Sequence, residues 1–258
     1  MDTTRPLPGR PDLRQRIAIL AALGGLVVLS WLYLVDEAAT MAAMDPGMAM
    51  PPKDASELLL LLAMWCIMMV GMMLPSAAPM ILTFATISRN RRMRGQSYTP
   101  TALFTSGYLL AWIGFSVAAT LAQASLERAS LFAPMAMKMT SPVLGGLLFM
   151  AAGVYQFTPL KHACLSACRS PFDFILNHWR DGPGGAVRMG FSHGLYCLGC
   201  CWILMALLLV GGVMNLIWVA VLTAVVFVEK LIPAGPWLAR ILGLLLVGYG
   251  VRLLTLSL

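Results

Sequence analysis

Seven long apolar runs alternate with polar segments along this chain, at about 17–35, 58–87, 101–124, 140–158, 189–211, 214–229 and 237–256, and most charges lie between them. A helix needs roughly 20 residues to cross a bilayer core of about 30 Å, so runs of this length predict membrane-spanning helices. With 59% hydrophobic and only 11% charged residues among 258, the chain has too little polar surface to coat a soluble globule. The fold class is therefore all-α, a polytopic transmembrane bundle of about seven spans. Residues 1–57 supply the first span and an outer loop, and residues 58–258 a six-span membrane domain. "WLYLVDEAAT" follows the first apolar run in place of a small-residue cleavage site, so this run is read as an uncleaved span.

Lysine and arginine assign the sides, because cationic loops stay cytoplasmic. With the N-terminus inside, inner segments hold 14 of the 18 basic residues, and outer loop 36–57 gathers Asp36, Glu37, Asp45, Asp54 and Glu57. The N-terminus is thus expected inside and the C-terminus outside. The net charge of +7 then reads as a topology signal facing anionic lipid, not as a nucleic-acid footprint. Loop 36–57 also carries Met41, Met44, Met48 and Met50 among Ala, Pro and Gly, a composition that packs no core. In the inner loop 159–188, "SPFDFILNHW" offers Ser170 as a cap, Pro171 at the first helical position and Asp173 in the first turn. Phe172, Ile175, Leu176 and Trp179 would share one face of a short helix lying flat at the cytoplasmic interface.

Sulfur is concentrated in two of the spans. In "MWCIMMVGMMLPSAAPM", Met64, Met68 and Met72 recur every four residues and form one helical stripe, with Met69 and Met73 beside it. A ladder of neutral thioethers suits Cu(I) or Ag(I) and suits hard or borderline ions poorly. Methionine is equally a filler of irregular gaps between helices, and packing is the plainer reading of the stripe alone. Pro75 and Pro79 each remove a backbone donor, tolerated in a membrane where the backbone is buried or lines a cavity, and they predict a kink below the stripe.

The fifth run opens with "GFSHGLYCLGCCW", where His193, Cys197 and Cys201 follow at spacings of four and Cys200 flanks them. Thiols and an imidazole within two turns make a first shell for a thiophilic metal, although buried cysteine also behaves as a small hydrophobe. Gly190, Gly194 and Gly199 would let neighbouring helices approach closely. "KHACLSACR" in the inner loop adds His162, Cys164 and Cys168, which a reducing cytoplasm would keep as thiols. Cys66 reads as packing. Glu229 and Lys230, at the inner end of the sixth run, read as an interfacial anchor that pairs or snorkels, and Asn215 as a helix cap.

"MWCIMMVGMMLPSAAPM", "TPLKHACLSACRSP" and "HGLYCLGCCWILM" followed by "GGVMNLIW" and "EK" resemble a bacterial family of unknown function described as predicted metal-binding integral membrane proteins. The resemblance covers about residues 58–258. It implies a metal role for His193, Cys197, Cys200, Cys201, Cys164 and Cys168, and a place in a bacterial inner membrane, without naming the metal.

From the residues, the leading expectation is a protein that moves or delivers Cu(I), with zinc the alternative, by exchange between Met and Cys/His ligands. That is transport or metal handling rather than catalysis, and no nucleotide-binding loop is present. Its partners would be the lipid bilayer, a periplasmic metal donor and a cytoplasmic metal acceptor, and oligomerisation stays open. Two other classes remain: a membrane thiol oxidoreductase using the Cys197/Cys200 pair, and a structural or assembly subunit in which sulfur only packs.

Overall fold

A computed structural model of the chain describes residues 13–43, 54–96, 98–133, 137–232 and 235–256. Met44, Met48 and Met50 of the outer loop lie outside the described residues. The described chain is almost wholly helical: α1 (Leu13–Ala43), α2 (Ala55–Met93), α3 (Thr101–Arg128), α4 (Pro142–Tyr155), α5 (Pro159–Arg169), α6 (Pro171–His178), α7 (Gly182–Ala206), α8 (Leu208–Gly211), α9 (Leu216–Leu231) and α10 (Gly235–Thr255). Between α3 and α4, β1 (Phe132–Ala133) pairs antiparallel with β2 (Lys138–Met139).

Helix occupies all seven apolar runs, but the runs are not equivalent. Among the described residues, five helical segments are long and apolar enough to cross a membrane: Leu13–Ala43, Ala55–Met93, Thr101–Arg128, Gly182–Gly211 and Trp237–Thr255. The number rises to six if α4 and α5, bent by 64° at their junction, form one broken span. The other two runs are short, since α4 has 14 residues and α9 has 16. At 1.5 Å per residue they reach about 21 and 24 Å. The α4–α5 break has a local cause: Thr158 precedes Pro159, is held extended, and caps α5 by accepting the Lys161 N–H at 3.3 Å. Asn215 caps α9 as expected, its Oδ1 accepting the Trp218 N–H at 3.2 Å.

The expectation for the inner-loop helix needs correction in two respects. The helix expected from "SPFDFILNHW" forms as α6, but the Ser170 side chain makes no capping hydrogen bond. Its buried face is Phe174 and Ile175, while Phe172 and Leu176 are exposed. The reason is tertiary, because Phe174 docks edge-on against His193 of α7 at 5.4 Å and against Tyr196 at 5.9 Å. Near the expected kink, α2 runs as one 39-residue helix through Pro75 and Pro79. The hydroxyls of Ser76 and Thr83 donate to the carbonyls of Met73 and Pro79, at 2.9 and 2.8 Å, beside the sites where proline removes a donor.

The core lies where α2, α3 and α7 meet. Apolar side chains left outside it, among them Leu29, Leu121 and Leu244, suit a lipid surface. The α3–α7 contact is backbone to backbone. A Cβ on Gly190 would collide with the Phe104 carbonyl, one on Gly107 with the Val187 carbonyl, and one on Gly194 with Ala111 and Tyr108. This is the close approach that small residues permit in membrane bundles. It brings Tyr108 of α3 against the middle of α7. Substituting Gly190→Val should therefore cost more than the about 1–3 kcal/mol usual for overpacking, because the obstacle is backbone. Thermal unfolding in detergent checks this, with Gly184→Val as control, since nothing lies within 4 Å of a Cβ there.

Candidate metal centre

The methionine stripe faces inward. Met64, Met68 and Met72 are 3%, 0% and 1% exposed, and Met69 and Met73 are as deeply buried. Cys66 is half-buried. On α7, His193, Cys197, Cys200 and Cys201 are all buried, and on α5 Cys164 is buried and Cys168 half-buried. Every cysteine among the described residues is a free thiol.

Two glycine contacts draw the sulfur-bearing elements together. Gly190 and Gly194 admit α3, so that the Tyr108 hydroxyl reaches the Cys197 sulfur at 3.1 Å and the Met73 carbonyl at 3.2 Å. Gly199 admits α5, since a Cβ there would overlap Cys164 Sγ. Cys168 of α5 neighbours Cys197 and Cys200, and Cys201 neighbours the same two. The four sulfurs of Cys168, Cys197, Cys200 and Cys201 thus form one cluster between α5 and α7. His162 sits about 200° around α5 from Cys164 at 100° per residue, on another face of the helix.

His193 stacks on Tyr108 at 5.7 Å and on Phe104 at 6.2 Å, and its buried Nδ1 has no hydrogen-bond partner. Phe84 continues the aromatic packing toward the arginine-rich end of α2, between Phe104 at 4.7 Å and Trp179 at 5.7 Å. The Arg91 guanidinium lies over Trp179 at 4.7 Å and bonds Asp181 at 2.6 Å.

Charges enter the interior here, and the sequence reading missed their role. Glu229 and Lys230 are 2% and 6% exposed, which corrects the expectation of an interfacial anchor. The partner of Glu229 is Lys161, fully buried on α5, with Nζ 2.8 Å from Glu229 Oε2 and also donating to Gln156 Oε1. Lys230 Nζ turns the other way, 2.9 Å from Cys197 Sγ and 3.2 Å from Ser76 Oγ. A charged group in an apolar interior costs several kcal/mol unless an opposite charge stands beside it. Lys161 has Glu229, and Lys230 lies against the Cys197 sulfur.

Tyr108 could have been suspected as a hydroxyl in mid-span, which is seldom left unpartnered when buried. The Lys161–Glu229 pair spans 68 residues of sequence and left no local signal.

Thiols, thioethers and one imidazole are the donors a soft monovalent ion prefers. Among the described residues, no three His, Cys, Asp or Glu side chains are arranged to hold a metal ion. The contacts of the sulfurs account for this: Cys200 and Cys201 donate to the Cys197 carbonyl at 3.0 and 3.1 Å, while Tyr108 and Lys230 engage Cys197 Sγ. The donors are neighbours whose bonding capacity is directed elsewhere.

Residues 62–253 match the PpoB2 family, described as a copper chaperone. No curated protein and no solved structure matches the chain.

The buried charges yield a test of their own. Glu229→Gln, which leaves the Lys161 ammonium uncompensated, should destabilise the protein by about 3–5 kcal/mol, whereas replacing both Lys161 and Glu229 by Met should be far milder. Unfolding of the single and double variants in detergent measures the difference. Additive losses would mean that the two side chains do not act as a pair.

Proposed function

As the chain belongs to a copper chaperone family, we propose that it takes up Cu(I) as cargo within a membrane and delivers it by exchange between thioether and thiol ligands. The observation that carries this reading is the junction made by Tyr108. Its hydroxyl bonds both the Met73 carbonyl at the end of the methionine stripe and the Cys197 sulfur at the head of the thiol cluster. One hydroxyl thus links the backbone at the end of the stripe to the first sulfur of the cluster, which supports a relay of soft donors.

In this reading Met64, Met68 and Met72 pass the ion along α2, His193 stands at the entry to the thiol cluster, and the cluster of Cys197, Cys200, Cys201 and Cys168 holds the ion for release at the inner side. Cys164 stands next in line and His162 is a peripheral ligand. The distribution of arginine supports an N-terminus inside and a C-terminus outside a bacterial inner membrane, so that delivery runs inward. The exposed Phe172 and Leu176 support an α6 that rests on the inner lipid surface. Weak sites in series let an ion leave as readily as it enters. A donor outside and an acceptor inside complete the route.

The purified chain, loaded anaerobically, should bind about one Cu(I) or more, surrounded by sulfur in X-ray absorption spectra. Cys197→Ser combined with Cys201→Ser should abolish this binding. Met68→Leu with Met72→Leu, which keeps volume and costs little stability, should preserve the bound ion and slow its loading. Copper retained by the double serine variant, or a spectrum with only oxygen neighbours, would overturn the proposal. A reversible Cys197–Cys200 disulfide in metal-free protein would favour the oxidoreductase reading instead.

A further inference from the structure

The charges at the thiol cluster constrain how many sulfurs hold the ion. Lys161 and Glu229 neutralise one another at 2.8 Å and contribute no net charge. Lys230 remains, with its ammonium 2.9 Å from Cys197 Sγ. Its remaining hydrogen-bond partner, Ser76, is neutral. The cluster is thus built around one fixed positive charge.

A Cu(I) ion held by two thiolates carries a net charge of −1, and one held by three carries −2. With Lys230 beside it, the first arrangement is neutral and the second leaves a net negative charge in an apolar interior, at a cost of several kcal/mol. A single thiolate with neutral donors would leave the ammonium uncompensated.

We propose that Lys230 is the counter-cation of a two-thiolate Cu(I) complex formed by Cys197 and Cys201, and so sets both the sulfur count and the strength of the site. Cys201 is the partner because it lies one turn from Cys197 on the same face of α7, its thiol donating to the Cys197 carbonyl at 3.1 Å. The proposal rests on the copper reading above and specifies its chemistry. Cys197 enters the step as the thiolate that balances the Lys230 ammonium 2.9 Å away. As the ion binds, Cys197 and Cys201 each form a Cu–S bond, the Cys201 S–H bond breaks, and its one proton leaves to water, so that the net charge of the site stays at zero. No electron is transferred, and the copper stays monovalent. Lys230 yields its place on the Cys197 sulfur to the incoming cation while remaining beside the complex.

The test uses the full chain in detergent, loaded with Cu(I) alone under anaerobic conditions. X-ray absorption counts the sulfur neighbours, and competition with a chromophoric Cu(I) chelator gives the affinity. Wild type should show two sulfurs. Lys230→Arg, which keeps the charge, should bind within about threefold of wild type, and Lys230→Met should lose about a hundredfold or more, the order expected when one partner of a buried ion pair is removed. Lys161→Met together with Glu229→Met, which removes no net charge, should leave the affinity near wild type. Three sulfurs around copper in the wild type would overturn the proposal without any variant. So would a Lys230→Met protein of unchanged affinity and unchanged sulfur count, with the copper reading left standing. A wild type that binds no Cu(I) would remove both.

Discussion

Inside an apolar bundle every charge needs a partner, and this requirement organises the lower half of the molecule. Lys161, Glu229 and Lys230 come from α5 and α9, and their partners bring in α4 through Gln156, α2 through Ser76 and α7 through Cys197. Five helices are thereby joined at one level by bonds that have direction and length, whereas the apolar contacts around them tolerate sliding. Lipid gives helices little hydrophobic reason to associate, so such polar contacts and close backbone packing carry much of the specificity.

Close backbone packing has its own grammar here. Gly190 and Gly194 bring α3 onto α7, Gly71 receives Ser30 of α1, and Gly146 and Gly250 make room for one another between α4 and α10. Only the first of these reaches the chemistry. It sets the distance from which the Tyr108 hydroxyl bridges the Met73 carbonyl and the Cys197 sulfur, so a purely steric feature of α7 determines where its thiols meet α2.

Much of this was legible in the sequence, because it is local. Hydrophobic runs gave the helices, spacing of four gave the inward methionine stripe and the α7 sulfur face, and the small residues of α7 named the helix interface. Asn215 was legible as a cap for the same reason. What escaped depended on distant partners. Lys161 looked like one more cytoplasmic cation, and only the fold shows it fully buried against Glu229. The face of α6 was misjudged because its apolar residues surround much of the helix. Which of them is buried depends on the aromatic contacts of Phe174 with His193 and Tyr196, which no periodicity encodes. The fourth span was overestimated because the extended residue before Pro159 cuts the helix at Tyr155.

The buried stripe of Met64, Met68 and Met72 has donors but no charge. The electrostatic penalty for bringing an ion out of water grows as the square of its valence, so on the proposed route a divalent ion entering along α2 would face a barrier about four times that of a monovalent one. A thioether lining used in that way would sieve by valence as well as by softness. It would disfavour zinc and oxidised copper before either met a thiol.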